Sequence, residues 1–117
     1  MIKDASFRTA LRLVAAVAVA SLAQVAHADV DKDAAMATLR QNNCLKCHGL
    51  EKAKDGPAYA EVAKKYKGKA DAEAKIAKHL TTGEKAKFPD GHEEDHKIIK
   101  VANDAELKNL IAFILSR

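Results

Sequence analysis

The sequence predicts an all-α fold of about four short helices in a single domain. Apolar residues recur at intervals of three and four along several segments, and no segment alternates with the period of two that is typical of strands. A length of 117 residues fits one domain, and a composition that is 48% hydrophobic and 31% charged is that of a folded chain. Only 4% of the residues are aromatic, so a core this poor in large rings predicts that something other than protein fills part of it.

The first 28 residues are predicted to be a cleavable secretory signal peptide. Three basic residues precede an apolar stretch over 13–25, and Ala-His-Ala at 26–28 supplies the small residues of a cleavage site. The apolar stretch is too short to span a membrane. We therefore expect export to the bacterial periplasm, a mature domain over residues 29–117, and no stable membrane insertion after cleavage.

The formal charge of +4 overstates how basic the mature domain is. The leader carries three basic residues and one acid, so the remaining 89 residues have a formal charge of only +2. A charge this close to neutral gives no support to a nucleic-acid partner, and none is expected.

The first helix of the mature domain begins near Asp31 or Asp33, since either aspartate is a suitable N-cap. It extends to about residues 41–43. Met36 and Leu39 are predicted to lie on its inner side.

Two further helices follow, separated by a glycine. Residues 59–66 keep their apolar positions at helical spacing, and Gly68 ends this helix. Asp71 is placed to cap the next helix, which Gly83 ends. His79 lies on the apolar rhythm of this third helix, which is typical of a packed or half-exposed histidine.

The segment 84–100 is expected to be a long polar loop, because it contains Pro89, Gly91 and a cluster of acids. The final helix is the clearest of the four. Asn103 and Glu106 fit a capping box, and the apolar residues after them form one stripe. This stripe consists of Leu107, Leu110, Ile111, Ile114 and Leu115.

The only two cysteines lie in the sequence Cys44-Leu45-Lys46-Cys47-His48. A thioredoxin-like redox motif would need strands around it, and a zinc site would need about four ligands, whereas no second ligand pair appears. C-x-x-C-H is the signature of covalent c-type haem attachment, in which two thiols add to the vinyl groups and the histidine ligates the iron. The motif therefore predicts one covalent haem c, which would also fill the centre that aromatic side chains leave open.

Together with this motif, three further features resemble the small bacterial class I cytochromes c. They are Gly56-Pro57-Ala58-Tyr59, the helix containing Val62-Ala63-Lys64-Lys65-Tyr66, and the amphipathic final helix. The resemblance covers essentially all of residues 29–117 and implies a cytochrome c-like fold in which the first and last helices cross. It also implies that the carbonyl of Pro57 accepts a hydrogen bond from the second ring nitrogen of His48, which fixes the tautomer of that ligand.

The sequence departs from this family at the sixth iron ligand. The family usually has a methionine in the loop before the last helix, whereas Met36 is the only methionine after residue 28. Matching the last helix to the family pattern puts His96 at the methionine position, so His96 is the predicted distal ligand and His92 the next candidate. Two solvated loop histidines are the competing interpretation. The remaining alternatives are an open position or ligation by His79, Lys97 or Lys100.

The resemblance implies a carrier of single electrons that is not an enzyme. Imidazole in place of a thioether lowers the haem potential, so a His/His protein of lowered potential is expected. The alternative is a haem protein whose distal histidine is displaced by a small gas molecule, or the haem subunit of an oxidoreductase complex. The expected partners are periplasmic redox proteins, and lysines near and after the motif offer a positive face to an acidic partner. These lysines are Lys46, Lys52, Lys54, Lys64, Lys65, Lys67 and Lys69.

Overall fold

The computed structural model describes residues 29–117, which form four α-helices and a small β-hairpin. The helices are α1 (Lys32–Gln41), α2 (Tyr59–Tyr66), α3 (Ala72–Thr82) and α4 (Asp104–Leu115), the strands are β1 (Lys85–Lys87) and β2 (Glu93–Asp95), and a 3-10 turn spans Cys44–Lys46. The predicted signal peptide lies outside the described residues. Within the described part of the chain, no helix combines the length and apolar character that crossing a bilayer requires. The predominantly helical architecture with four helices confirms the predicted fold class.

The first and last helices pack against each other and form the main hydrophobic core. Leu39 of α1 and Leu110 and Phe113 of α4 are almost completely buried. The start of α1 is fixed to α4 by a reciprocal pair of hydrogen bonds: the N–H of Asp31 donates to Asn109 at 2.9 Å, and the Asn109 amide donates to the Asp31 carbonyl at 2.8 Å. The apolar stripe of α4 is buried against α1 and, to a similar extent, against α2.

The predicted capping box of α4 forms in one direction only. The Asn103 side chain accepts a hydrogen bond from the N–H of Glu106 at 3.0 Å. The Glu106 carboxylate accepts instead from the N–H of Ala102 at 2.6 Å and from the Thr38 hydroxyl of α1 at 2.7 Å. The hydrogen bond from Ala102 and, to a lesser extent, the one from Thr38 hold the pKa of Glu106 below its usual range. The hydrogen bond from Thr38 also links α4 to α1.

The start of α3 also differs from the prediction. Asp71 precedes the helix, but its side chain caps no helix N–H. Its carboxylate lies 2.8 Å from the Lys75 ammonium one turn later, and this partner lowers the pKa of Asp71. The aspartate therefore stabilises the first turn through an ion pair in place of a cap.

The segment 84–100 contains a β-hairpin where the sequence predicts an irregular loop. β1 and β2 pair antiparallel, with Lys85 opposite Asp95 and Lys87 opposite Glu93. The Lys85 ammonium lies 2.7 Å from the Asp95 carboxylate. Five of the six strand residues are exposed, so no alternation of apolar residues reveals the strands. Opposite charges across the pair hold the register that apolar residues would otherwise set.

Candidate functional site

A cavity of about 750 Å³ lies between the 3-10 turn, α2, α3 and the hairpin. Cys44, Cys47 and His48 line it, together with His79 and His96. Buried apolar side chains complete its walls: Tyr59, Ile76, Leu80, Ile99 and Ile114. The structure therefore brings the attachment motif and three of the candidate distal ligands, His79, His96 and Lys97, to one cavity of cofactor size.

The attachment motif folds as one tight turn. Asn43 adopts the left-handed conformation with a φ of 56°, which redirects the chain out of α1. The N–H of His48 then donates to the Cys44 carbonyl at 2.9 Å. As a result, both thiols and the imidazole line the same cavity, and burial raises the pKa of the Cys44 thiol.

The His48 ring is fixed on two sides. Its Nδ1–H donates to the Pro57 carbonyl at 2.7 Å, and the ring stacks on Tyr59 with centroids 5.0 Å apart. A Cβ at Gly56 would lie 2.5 Å from Cε1 of the imidazole, so only glycine allows this approach. Since Nδ1 is occupied, Nε2 is the nitrogen that His48 offers to a metal.

His96 is held in a comparable way. Its Nδ1–H donates to the Lys97 carbonyl at 2.9 Å. The His96 ring centroid lies 6.1 Å from that of His48 and 4.2 Å from that of His79. Burial lowers the pKa of His96, and the neighbouring His79 adds to this shift.

A buried asparagine that the sequence analysis did not identify fixes the segment after His96. The Asn42 amide donates to the Lys100 carbonyl at 3.0 Å, and its oxygen accepts from the Lys100 N–H at 2.7 Å. The Lys97 ammonium donates to the Asn42 carbonyl at 2.9 Å. These contacts hold residues 97–100 against the end of α1. The sequence gives only a weak signal for this role, an Asn-Asn pair directly before Cys44.

The remaining histidines and Met36 have other contacts. His92 lies on the hairpin and does not line the cavity; its Nδ1 contacts Asp90 and its Nε2 lies 3.1 Å from Glu94. The carboxylates of Asp90 and then Glu94 raise the pKa of His92. Met36 packs against the hydrophobic core and does not line the cavity either. His79 lines the cavity, with its Nδ1 3.5 Å from the Glu84 carboxylate.

Comparisons with known proteins agree on one family. Residues 34–117 match the family model described as Cytochrome c, a range that contains every cavity-lining residue. Cytochrome c-552 of Hydrogenobacter thermophilus is 38% identical over 77 residues, which cover 66% of this chain and 74% of that protein. The class 1 cytochrome MtoD of Sideroxydans lithotrophicus ES-1 is 62% identical and superposes with a TM-score of 0.72, covering 75% of this chain and 97% of that one. Cytochrome c552 of Nitrosomonas europaea is 30% identical with a TM-score of 0.55, covering 69% and 96%.

Proposed function

The chain belongs to the cytochrome c family, and from this premise we propose a periplasmic electron carrier whose haem is held by Cys44, Cys47 and His48, with His96 as the sixth ligand. As a class I c-type cytochrome, it carries single electrons and binds one covalent haem c. When bound, the haem supplies an iron centre that gains and loses one electron. The two thiols, the imidazole and the apolar walls of the cavity fit such a group.

The observation that carries the His/His assignment is the shared anchoring of the two imidazoles. In both His48 and His96, Nδ1–H donates to a backbone carbonyl, which is the arrangement typical of metal-ligating histidines. Among the described residues, neither Nε2 has a hydrogen-bond partner.

The distance between the two rings also fits one shared iron. Their centroids are 6.1 Å apart. Two imidazoles on one metal need about 2 Å for each metal–nitrogen bond. To this is added the radius of each ring, about 1.1 Å for bonds of about 1.33 Å. The observed separation therefore supports ligation by both rings.

The alternatives are less well placed. His92 would have to give up a carboxylate to free either ring nitrogen, and Met36 packs away from the cavity. His79 lines the cavity behind His96, where it is a neighbour of the ligand. With imidazole in place of a thioether, we expect a potential below that of methionine-ligated relatives.

The partners that we expect are periplasmic redox proteins with an acidic docking face. Lys46, Lys65 and Lys87 are among the five lysines that line the cavity beside four acids, a small positive excess. Such an excess favours transient, electrostatically steered contacts with an acidic partner. The predicted signal peptide at residues 1–28 supports export.

Replacing the proposed ligand tests the assignment. His96→Ala should convert a low-spin haem spectrum to high-spin while the haem stays attached, because the iron loses its sixth ligand. His92→Ala is the matched control and should leave the spectrum low-spin. His96→Met should raise the potential, since axial identity is among the factors that span about 0.8 V in haem proteins. A low-spin spectrum in His96→Ala would show that the ligand is another residue.

Carbon monoxide separates the carrier from the gas-binding alternative. Added anaerobically to the reduced protein, it should leave the spectrum unchanged if His96 stays bound. A rapid spectral shift would favour a haem protein with a displaceable distal histidine.

A further inference from the structure

We propose that a second face of the molecule, the cationic groove, docks an acidic segment of a partner protein. The groove has a volume of about 740 Å³ and lies between the ends of α2 and α4 and the turn that leads into α3. Its charged residues are Lys64, Lys67, Lys69 and Arg117. Lys64, Lys67 and Lys69 belong to the positive face that the sequence predicts for an acidic partner, and the inference deepens that part of the proposed function. It concerns a surface other than the cavity and does not depend on the cofactor.

The lysines of the cationic groove form no ion pair at hydrogen-bond distance within the described residues. Every charged side chain that lines the groove is basic. Elsewhere Lys75, Lys78 and Lys85 are paired with carboxylates, whereas within residues 29–117 no lysine of the groove forms an ion pair. Arg117 differs, since it lies 3.0 Å from Glu51. The groove therefore presents three lysines outside ion pairs, of which Lys69 lies near enough to Asp71 to help lower the pKa of that carboxyl.

The end of α2 explains only part of this charge. Lys64 lies in the last turn of the helix, where a cation complements the helix dipole. Lys67 and Lys69 follow the end of the helix, on either side of Gly68, which has a φ of 73°. Their positions are set by the turn and leave both ammonium groups at the groove.

The floor of the cationic groove is apolar and made mostly of small residues. Ala63 and Ala72 are buried, and Ala60 and Leu115 complete the floor. On one side the Tyr66 ring lies 5.7 Å from the Lys69 ammonium. Basic residues around an apolar floor fit a peptide segment with acidic and apolar side chains better than a small inorganic anion, which would gain nothing from the floor.

The cationic groove is adjacent to the haem cavity but uses different lysines. Tyr66 lines both concavities, so one residue contributes to both walls. Lys46 and Lys87 line the cavity, whereas Lys64 and Lys67 line the groove. A partner segment in the groove thus leaves Lys46 and Lys87 of the cavity uncovered.

An NMR titration of the ¹⁵N-labelled holoprotein with a ten-residue peptide of alternating glutamate and alanine tests the proposal. The amide signals of residues 63–72 and the ring signals of Tyr66 should shift. The triple variant Lys64→Glu/Lys67→Glu/Lys69→Glu should weaken the affinity measured at these signals by about tenfold or more. The matched control is a second triple reversal with the same change in net charge, at lysines that line neither concavity, and it should retain the shifts. Its substitutions are Lys32→Glu, Lys52→Glu and Lys108→Glu.

Three results would overturn the proposal. They are an absence of shifts at residues 63–72, an equal loss of affinity in both triple variants, and groove shifts with phosphatidylglycerol vesicles but none with the peptide. If the triple variant does not fold, Lys67→Glu/Lys69→Glu replaces it, because both residues lie outside α2. The proposed function fails separately: a low-spin His96→Ala protein refutes the ligand assignment and leaves the docking surface intact.

Discussion

The position of the His48 ring depends on a residue that has no side chain. Gly56 is connected to the attachment motif by its N–H, which donates to the Cys47 carbonyl at 2.8 Å. The next residue, Pro57, supplies the carbonyl that orients the imidazole. A ring that is hydrogen-bonded at Nδ1 and stacked on Tyr59 has no space to move away from a methyl group at position 56.

We therefore predict that Gly56→Ala perturbs the haem environment as well as the stability. The added methyl group overlaps the imidazole, and overpacking of this kind costs about 1–3 kcal/mol. Urea unfolding measures this cost, and the visible spectrum reports the displaced ligand. Gly68→Ala is the control: its Cβ meets no atom within 4 Å, and its φ of 73° adds backbone strain alone. Equal spectra for the two variants would contradict the prediction.

Contacts of single residues also explain why the sequence alone does not show which of His92 and His96 is the better candidate ligand. The two histidines lie four residues apart in one acidic segment. They differ in their partners, because two carboxylates bind the His92 ring whereas a backbone carbonyl holds His96. These contacts depend on the hairpin, and the hairpin follows from charge pairing that no apolar pattern reveals.

At the scale of elements, the link between the end of α1 and residues 97–100 holds the segment that directly follows His96. This segment follows the hairpin and has no helix of its own. Its backbone is bound by Asn42, a residue only 3% exposed. The proposed distal ligand thus depends on the same helix end that precedes the attachment motif.

We predict that Asn42→Ala loosens this segment. The variant leaves the Lys100 N–H and carbonyl without their partner, which costs about 1–3 kcal/mol. Amide hydrogen exchange at Lys100 should accelerate, and the low-spin spectrum should become more sensitive to temperature.

Asn109→Ala is the matched control for this prediction. It removes hydrogen bonds of similar kind between α4 and Asp31 but none near His96. It should lower the stability without a selective increase in exchange at Lys100. The same exchange pattern in both variants would show that Asn42 has no specific role in this segment.

The helices could be predicted from the sequence because each has a strong local signal. The spacing of apolar residues predicts α2 with the bounds that the structure has, and Asp31 does cap α1. The hairpin and the contacts of Asn42 could not be predicted. Both depend on contacts between distant residues, such as Lys85 with Asp95 and Asn42 with Lys100. Exposed strands and single buried amides leave no periodic pattern in a sequence.

The first and last helices hold the whole molecule together where they cross. The Glu106 carboxylate forms a contact at this crossing that is sensitive to acid. The pKa of Glu106 lies lower in the folded chain than in the unfolded one, because the Ala102 N–H and the Thr38 hydroxyl donate to the carboxylate. The resulting stabilisation is complete above the unfolded pKa of a glutamate. It is lost as the pH falls through the lower folded pKa.

At pH 7, Glu106→Gln should therefore have a lower free energy of unfolding than the wild type. This difference should decrease as the pH falls below the ordinary pKa of a glutamate. Urea unfolding of both holoproteins between pH 7 and pH 3 measures this. Parallel loss of stability in the two proteins would show that the helix crossing does not depend on the ionised carboxylate.

The molecule as a whole has two parts that depend unequally on the cofactor. The core of Leu39, Leu110 and Phe113 at the helix crossing is complete without it. The cavity of about 750 Å³, in contrast, lacks a filled centre unless the haem is bound. At about 24 cal/mol per Å³, a closed and empty cavity of that size would cost more than the entire stability of a domain, about 5–15 kcal/mol. In a chain without haem, water must therefore fill this cavity, or its walls must collapse.

We predict that haem-free Cys44→Ala/Cys47→Ala retains helical structure but loses cooperative unfolding. Far-ultraviolet circular dichroism should show substantial helix, while the aromatic signals and the NMR dispersion of a packed core decrease. Amide protection should survive in α1 and in the first turns of α4, which pack against each other. It should be lost in α2, in α3 and at the end of α4 near Ile114, which line the cavity. A sharp urea transition with the midpoint of the holoprotein would mean that the protein fills its own centre. In that case the scarcity of aromatic residues would need an explanation other than the haem.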